Sequence, residues 1–121
     1  MNIDFSIITV SYNSEKTIER TIKSVLNQTF KNFEYIIIDG GSSDKTNNII
    51  DQYKKDFNGS MTHISEPDKG IYDAMNKGIA LAKGTIIGLL NSDDYYFDNS
   101  LSMVYDAYVN TDTNSVLTGE L

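Results

Sequence analysis

Two adjacent carboxylates, Asp93 and Asp94, close the stretch Asn91-Ser92-Asp93-Asp94, directly after the apolar run Ile86-Ile87-Gly88-Leu89-Leu90. The run has strand length and no polar alternation, so it reads as a strand buried on both faces. Paired carboxylates at its end repel one another, and the remedies are a divalent cation, a nearby positive group or full solvation. Such a cation could bridge phosphates; the plainer use of either acid is to cap the next helix. Two further polar groups stand after apolar runs in the same way. Tyr12 follows residues 5–10 and could offer its ring face to a base or pack beneath a loop. Asp39 follows residues 33–38 and could accept hydrogen bonds from a base or ribose, or close an Asx turn before Gly40 and Gly41.

Alternating strand and helix signals must position these groups. Phe5-Ser6-Ile7-Ile8-Thr9-Val10 is rich in β-branched residues and predicts a first strand. A helix is expected from Ser14 as N-cap, with Ile18, Ile22, Val25, Leu26 and Phe30 on one face. Residues 33–38 form a second strand. A second helix turns Ile49, Ile50, Tyr53 and Phe57 inward, with Asp44 near its positive end. Met61–Ser65 is a weaker strand, expected towards an edge. The third helix runs from Ile71 to about Lys83, with Ile71, Met75, Ile79 and Ala82 in register and Gly84 as its stop. Gly78 inside it costs about 1 kcal/mol against Ala, so it implies close packing on the sheet. After the acidic strand, Asn99 or Ser100 caps a fourth helix carrying Leu101, Val104, Tyr105 and Tyr108, and residues 115–118 predict a last strand.

This order predicts an α/β fold, a Rossmann-like, mostly parallel sheet with helices on both faces. Right-handed crossovers bring the carboxyl ends of parallel strands to one edge, so Tyr12, Asp39 and residues 91–94 should face a single crevice.

Composition narrows the ligands. The chain has 121 residues, one domain's length, with a formal charge of −7 and no cysteine. That charge argues against nucleic acid or anionic lipid, and the lack of thiols rules out disulfides and thiolate metal sites. No apolar run approaches membrane-spanning length and the opening residues carry no basic region, so a cytoplasmic setting is expected. Gly40-Gly41 fits neither a dinucleotide fingerprint nor a P-loop. His63, the single histidine, is expected at the surface without a ligand role.

Three segments together carry a family resemblance: SIITVSYNSEKTIERTIKSVLNQTFKNFEYIIIDGGSSDKT, EPDKGIYDAMNKGIALAKGTIIGLLNSDDYYF and the closing SVLTGEL. In order and spacing they resemble the nucleotide-sugar-binding half of a family 2 glycosyltransferase of GT-A fold, and the likeness spans residues 1–121. The resemblance implies that Val10 and Tyr12 line the nucleobase pocket and that Asp39 binds the base. It implies that Asp93 and Asp94 lie in a D-x-D-like region holding Mg2+ or Mn2+ and the nucleotide, with Asn91 replacing the first acid of the common form. Which of the two acids ligates metal and which reaches the ribose stays open. Lys69, Asp73 and Asn76 fall beside the nucleotide sugar. Val10-Ser11 stands where Pro-Thr is more familiar.

The implied activity is metal-dependent transfer of a hexosyl group from a nucleoside diphosphate sugar, by analogy a UDP-sugar, to a hydroxyl of a saccharide or lipid-linked acceptor. By the same analogy the outcome is inverting and the setting is cell-surface polysaccharide biosynthesis. Family members are considerably longer, and their general base lies well beyond the D-x-D region. The chain is therefore expected to be the donor-binding portion of a larger enzyme, with no base before Leu121, little transfer activity alone and apolar surface favouring self-association. The full-length enzyme is expected at the inner face of the membrane.

Rival readings fit less well. Nucleotidyltransferases resemble one another through a Gly-rich basic loop, unlike Ser11-Tyr12-Asn13-Ser14, and receiver domains carry acids after the first strand, where this chain has none. A non-catalytic nucleotide-binding or assembly module is the remaining alternative, and metal-dependent nucleotide affinity separates it from the glycosyltransferase reading, because a purely structural relic has no need of Asp39, Asp93 and Asp94 as ligands.

Overall fold

Strand β1 (Phe5–Ser11) lies at the centre of the sheet because both of its faces are apolar enough to be covered. The structure, a computed structural model, describes residues 2–110 and the backbone of 116–118. Around β1 stand β2 (Phe33–Asp39), β3 (Met61–Ser65), β4 (Ile86–Leu89) and β5 (Val116–Thr118), in the order β3-β2-β1-β4-β5. Every pairing is parallel. Helices α1 (Ile18–Leu26), α2 (Thr46–Lys54), α3 (Ile71–Leu81) and α4 (Ser100–Val109) connect them. Among the described residues, no helix is long and apolar enough to cross a membrane.

Strand alternation divides the core into two layers. Ile7, Tyr35, Ile37 and Ile86 point to one face, where Ile18, Ile22 and Val25 of α1, Ile50 of α2 and Leu101 of α4 complete the larger cluster. Ile8, Ile36 and Ile38 point to the other and meet Ala74 of α3. Helices cover both faces, as the sequence implies. β3 forms the edge beside β2, and Ser100 accepts from Phe97 N through its Oγ at 3.0 Å at the start of α4.

Four expectations are corrected. Ile71 and Ile79, expected inward on α3, are 48% and 40% exposed, while Ala74 and Gly78 face the sheet. The helix lies too close for larger groups there: a Cβ at Gly78 would stand 2.6 Å from Ile8 Cγ2. α3 also ends before Gly84, because Ala82 is already extended. Gly84 is needed for a different close approach, since a Cβ there would stand 2.5 Å from the backbone nitrogen of Ser6. In β4, Ile86 and Gly88 are fully buried but Ile87 and Leu89 only half-buried, so the two faces are covered unequally. α1 begins at Ile18 and stops before Phe30, which packs edge-on against Phe5 with centroids 5.3 Å apart from outside the helix.

The pairing of Ser11 with Asp39 levels the carboxyl ends of β1 and β2, and Leu90 N donates to Ile8 O to carry the end of β4 alongside. Residue 115 of the expected last strand, and residues 119–121, lie outside the described residues.

Candidate functional site

A crevice of about 1080 Å³ opens along this carboxyl edge. Its wall is built from the loop after β1, the loop after β2 at Gly40, Pro67, Asp68, Gly70 and Ile71 at the start of α3, and Asn91, Ser92 and Asp93 after β4. This is the edge where open parallel sheets bind ligands.

The loop after β1 turns sharply. Asn13 adopts a left-handed conformation (φ 48°), and its Oδ1 accepts from Ser43 N at 2.9 Å while its own N–H donates to Ser42 Oγ at 2.8 Å. These bonds tie the β1 loop to the β2 loop. Ser14 is the acceptor for the first helical turn through its carbonyl, but its hydroxyl does not cap α1. It lies 2.8 Å from Ser92 Oγ and bridges to the β4 loop. Tyr12, just before Asn13, is left 65% exposed at the crevice.

α1 clamps the acidic loop from behind. Thr21 Oγ1 donates to Asp94 O at 2.5 Å and lies 3.0 Å from Ser92 O, and Arg20 Nη2 donates to Asp93 O at 3.1 Å. The Arg20 guanidinium also stacks on Tyr95, 4.6 Å from the ring centroid. The backbone around both acids is therefore fixed, while the Asp93 side chain is exposed in the crevice.

Asp39 is fully buried and receives six hydrogen bonds. Oδ1 accepts from Ser11 Oγ (2.8 Å) and Ser42 Oγ (2.6 Å). Oδ2 accepts from Ser42 N (2.7 Å), Ser65 Oγ (2.8 Å), Gly41 N (3.0 Å) and Asn47 Nδ2 (3.2 Å). Burial alone would push the carboxyl up; the bonds from Ser42, Ser11 and Ser65 together outweigh it and hold the group below its ordinary range. Asp39 thus closes the Asx turn at Gly41 and organises the 40–42 loop. Both of its oxygens are engaged by protein donors.

Of the other expected positions, Val10, Tyr12 and Asp93 line the crevice. Asp94, Lys69, Asp73 and Asn76 do not. Asp94 shares the turn closed by its N–H on Asn91 O, but its charge acts on the Tyr96 hydroxyl, whose ionisation burial chiefly, and Asp94 next, disfavours. Asp73 Oδ2 accepts from Lys69 N at 3.0 Å and lies 3.7 Å from Lys77 Nζ, so it serves the start of α3. Asn76 is exposed on α3 outside the crevice. His63 is not a free surface residue: its side chain is only 9% exposed, with Nε2 2.8 Å from Asn47 Oδ1. Since Asn47 Nδ2 donates to Asp39, His63 is joined to the same buried network.

Asp68, Gly40 and Asp44 also line the crevice; sequence reasoning passed over Asp68 and placed Gly40 only in a turn and Asp44 only at a helix start. An Asx signal was available at Asp68, whose Oδ1 accepts from Gly70 N two residues on at 3.0 Å. Among the lining residues four carboxylates, Glu15, Asp44, Asp68 and Asp93, face one ammonium, Lys16. An anionic ligand entering such a wall needs a cation with it.

The donor set suits a cation shared with a ligand better than a protein cage. Among the described residues no three acids or histidines gather closely enough to hold a metal alone. Mg2+ and Mn2+ sites of the phosphate-binding kind need one or two carboxylates, with phosphate and water oxygens completing the shell. Asp93 meets that requirement; Asp94 does not line the same space.

The model of the family described as glycosyl transferase family 2 matches residues 6–119. A PGL/p-HBAD biosynthesis glycosyltransferase of Mycobacterium tuberculosis H37Rv is 34% identical over 94 residues, covering 78% of this chain and 37% of that protein. Glycosyltransferase GlyG of Streptococcus pneumoniae is 30% identical over 112 residues, covering 93% and 37%. The chain thus spans little more than a third of these relatives' length. Among solved structures, residues 1–349 of S. aureus TarS superpose with a TM-score of 0.84 at 26% identity, covering 91% of this chain and 33% of that one. The same TarS fragment in complex with UDP-GlcNAc superposes with a TM-score of 0.82 at 28% identity, covering 91% and 32%.

Proposed function

The chain belongs to glycosyl transferase family 2, and on that premise we propose that it forms the donor-binding part of a metal-dependent glycosyltransferase. The donor is a nucleoside diphosphate sugar, of the UDP class that the TarS complex contains. The observation that carries this reading is the crevice itself: an exposed aromatic ring, Tyr12, and an exposed carboxylate, Asp93, share an acidic cleft at the carboxyl edge of a parallel sheet.

Each group has a distinct task. Tyr12 and Val10 offer apolar surface on which a base stacks. Asp93, its backbone clamped by Thr21 and Arg20, is the side chain that would hold Mg2+ or Mn2+ beside a bound diphosphate. When bound, the cation stabilises the charge that builds on the diphosphate leaving group. Asp39 positions the 40–42 loop from within. We assign the general base to none of the 121 residues, and place it with the acceptor site in the part of a longer enzyme that this chain does not include. The acceptor is a saccharide or lipid-linked hydroxyl, the outcome inverting, and the cellular role cell-surface polysaccharide assembly.

Electron paramagnetic resonance of Mn2+ tests the reading. Free Mn2+ should stay largely unbound with protein alone and become protein-bound when UDP is added, whereas Asp93→Asn should abolish the ternary signal. Equal Mn2+ binding with and without UDP would contradict a shared cation.

A further inference from the structure

A base stacked on Tyr12 needs a hydrogen-bonding group at its edge, and Asp39 does not supply one because protein donors fill its oxygens. The other acids of the crevice differ in what they leave free. Asp44 is also occupied, with Oδ1 taken by Thr46 and Oδ2 by Glu15 N. Asp93 is the cation's ligand in the proposed function, and Glu15 is an exposed side chain on the outer turn.

Asp68 combines order with availability. It is half-buried, and Gly70 N fixes its Oδ1 at 3.0 Å. Its segment is fastened to the β2 loop, since Glu66 N donates to Asp39 O at 3.0 Å and Pro67 lies over Gly41. Oδ2 reaches over Gly40, 2.7 Å from where a Cβ at that position would stand, and no hydrogen bond among the described residues engages it. Position 40 is glycine with an ordinary φ, so close approach of this carboxylate, and not backbone strain, is what a side chain there would disturb.

We propose that Asp68 is the specificity-determining residue that reads the base, accepting the imide N–H of a uracil or thymine through Oδ2. This rests on the donor-site reading above. One free carboxylate oxygen suits a base with one edge N–H flanked by carbonyls. Guanine presents two adjacent donors and calls for both oxygens, while cytosine has an acceptor at N3 and would meet the carboxylate with like polarity.

Calorimetric affinities at neutral pH with Mn2+ test this, for UDP, dTDP, CDP, N3-methyl-UDP and inorganic pyrophosphate. The native chain should bind UDP or dTDP at least about tenfold more tightly than CDP or N3-methyl-UDP, the scale of one charge-assisted hydrogen bond. Asp68→Asn keeps an oxygen for Gly70 N and turns an NH2 towards the base. It should weaken UDP at least about tenfold, erase the penalty for N3-methylation and leave pyrophosphate unchanged. Gly40→Ala, which displaces the carboxylate without altering it, should show the same pattern. The preference between UDP and dTDP identifies the base. UDP affinity within threefold of the native value in both variants, or an equal loss for pyrophosphate, overturns the assignment to Asp68 and leaves the donor site standing. Failure of the native chain to bind any nucleotide overturns both.

Discussion

Asp39 can be removed in two ways that the geometry separates. Asp39→Ala deletes the acceptor of six donors, two of them backbone N–H groups of Gly41 and Ser42 that cannot reorient. Each buried donor left unpaired costs about 1–3 kcal/mol, reduced where water can enter beside the crevice, so a total of about 3–4 kcal/mol is expected. Asp39→Asn retains an oxygen for the two N–H groups and places its NH2 at Oδ1, where the Ser11 and Ser42 hydroxyls can rotate to accept. Its cost should be about 1–2 kcal/mol. Urea unfolding followed by circular dichroism reads both: at a slope of about 1.5 kcal/mol/M the midpoint should fall by about 2 M for Ala and about 1 M for Asn. The pH dependence has a definite sign. The folded carboxyl is held below its ordinary value, so its stabilisation is present above about pH 4 and is lost as pH falls through the folded pKa. Asp39→Asn should therefore flatten stability against pH on the acid side. Midpoints within 0.3 M of native for both variants (about 0.5 kcal/mol at that slope) would refute the buried-hub description.

Other substitutions probe separate parts. Asp93→Ala should remove Mn2+-dependent UDP binding while Asp94→Ala alters it less than about threefold, because Asp93 alone of the pair lines the crevice; calorimetry of both reverses the assignment if Asp94 proves the essential one. Gly78→Ala should destabilise by about 1–2 kcal/mol, since overpacking on Ile8 exceeds the gain in helix propensity, and a native or higher melting temperature would contradict that. Thr21→Val removes the hydroxyl clamp on the acidic loop. It should cost about 1 kcal/mol in urea unfolding, and raise hydrogen exchange at Asp94 N more than at the α2 amides.

Strand and helix order was legible because apolar runs and turn residues alternate without ambiguity, and parallel topology then dictated which ends meet. The places of Tyr12, Val10 and Asp93 at the crevice were legible for the same reason: they stand at or just after strand ends, and strand ends share an edge. The facing of α3 was not. Its bulky residues, Ile71, Met75 and Ile79, suggested the inward stripe, whereas close helix–sheet contact selects the small residues Ala74 and Gly78. Asp39 was legible as an Asx turn and as a ligand alike, and only the folded chain shows the convergence of Ser11, Ser42, Asn47 and Ser65 upon it. Two of those partners lie more than 25 residues away along the chain, beyond the reach of local pattern. Asp68 went unnoticed because its Asp-x-Gly context reads as punctuation before a helix, and its nearness to Gly40 exists only in the folded chain.

The most direct test is calorimetric titration of this chain with UDP, in Mn2+ and again in EDTA. Saturable binding with one site per chain in Mn2+, falling at least about tenfold in EDTA, is the result expected of an acidic crevice that accepts a diphosphate only together with a cation. Absence of binding by folded protein, or affinity indifferent to the metal, would contradict it.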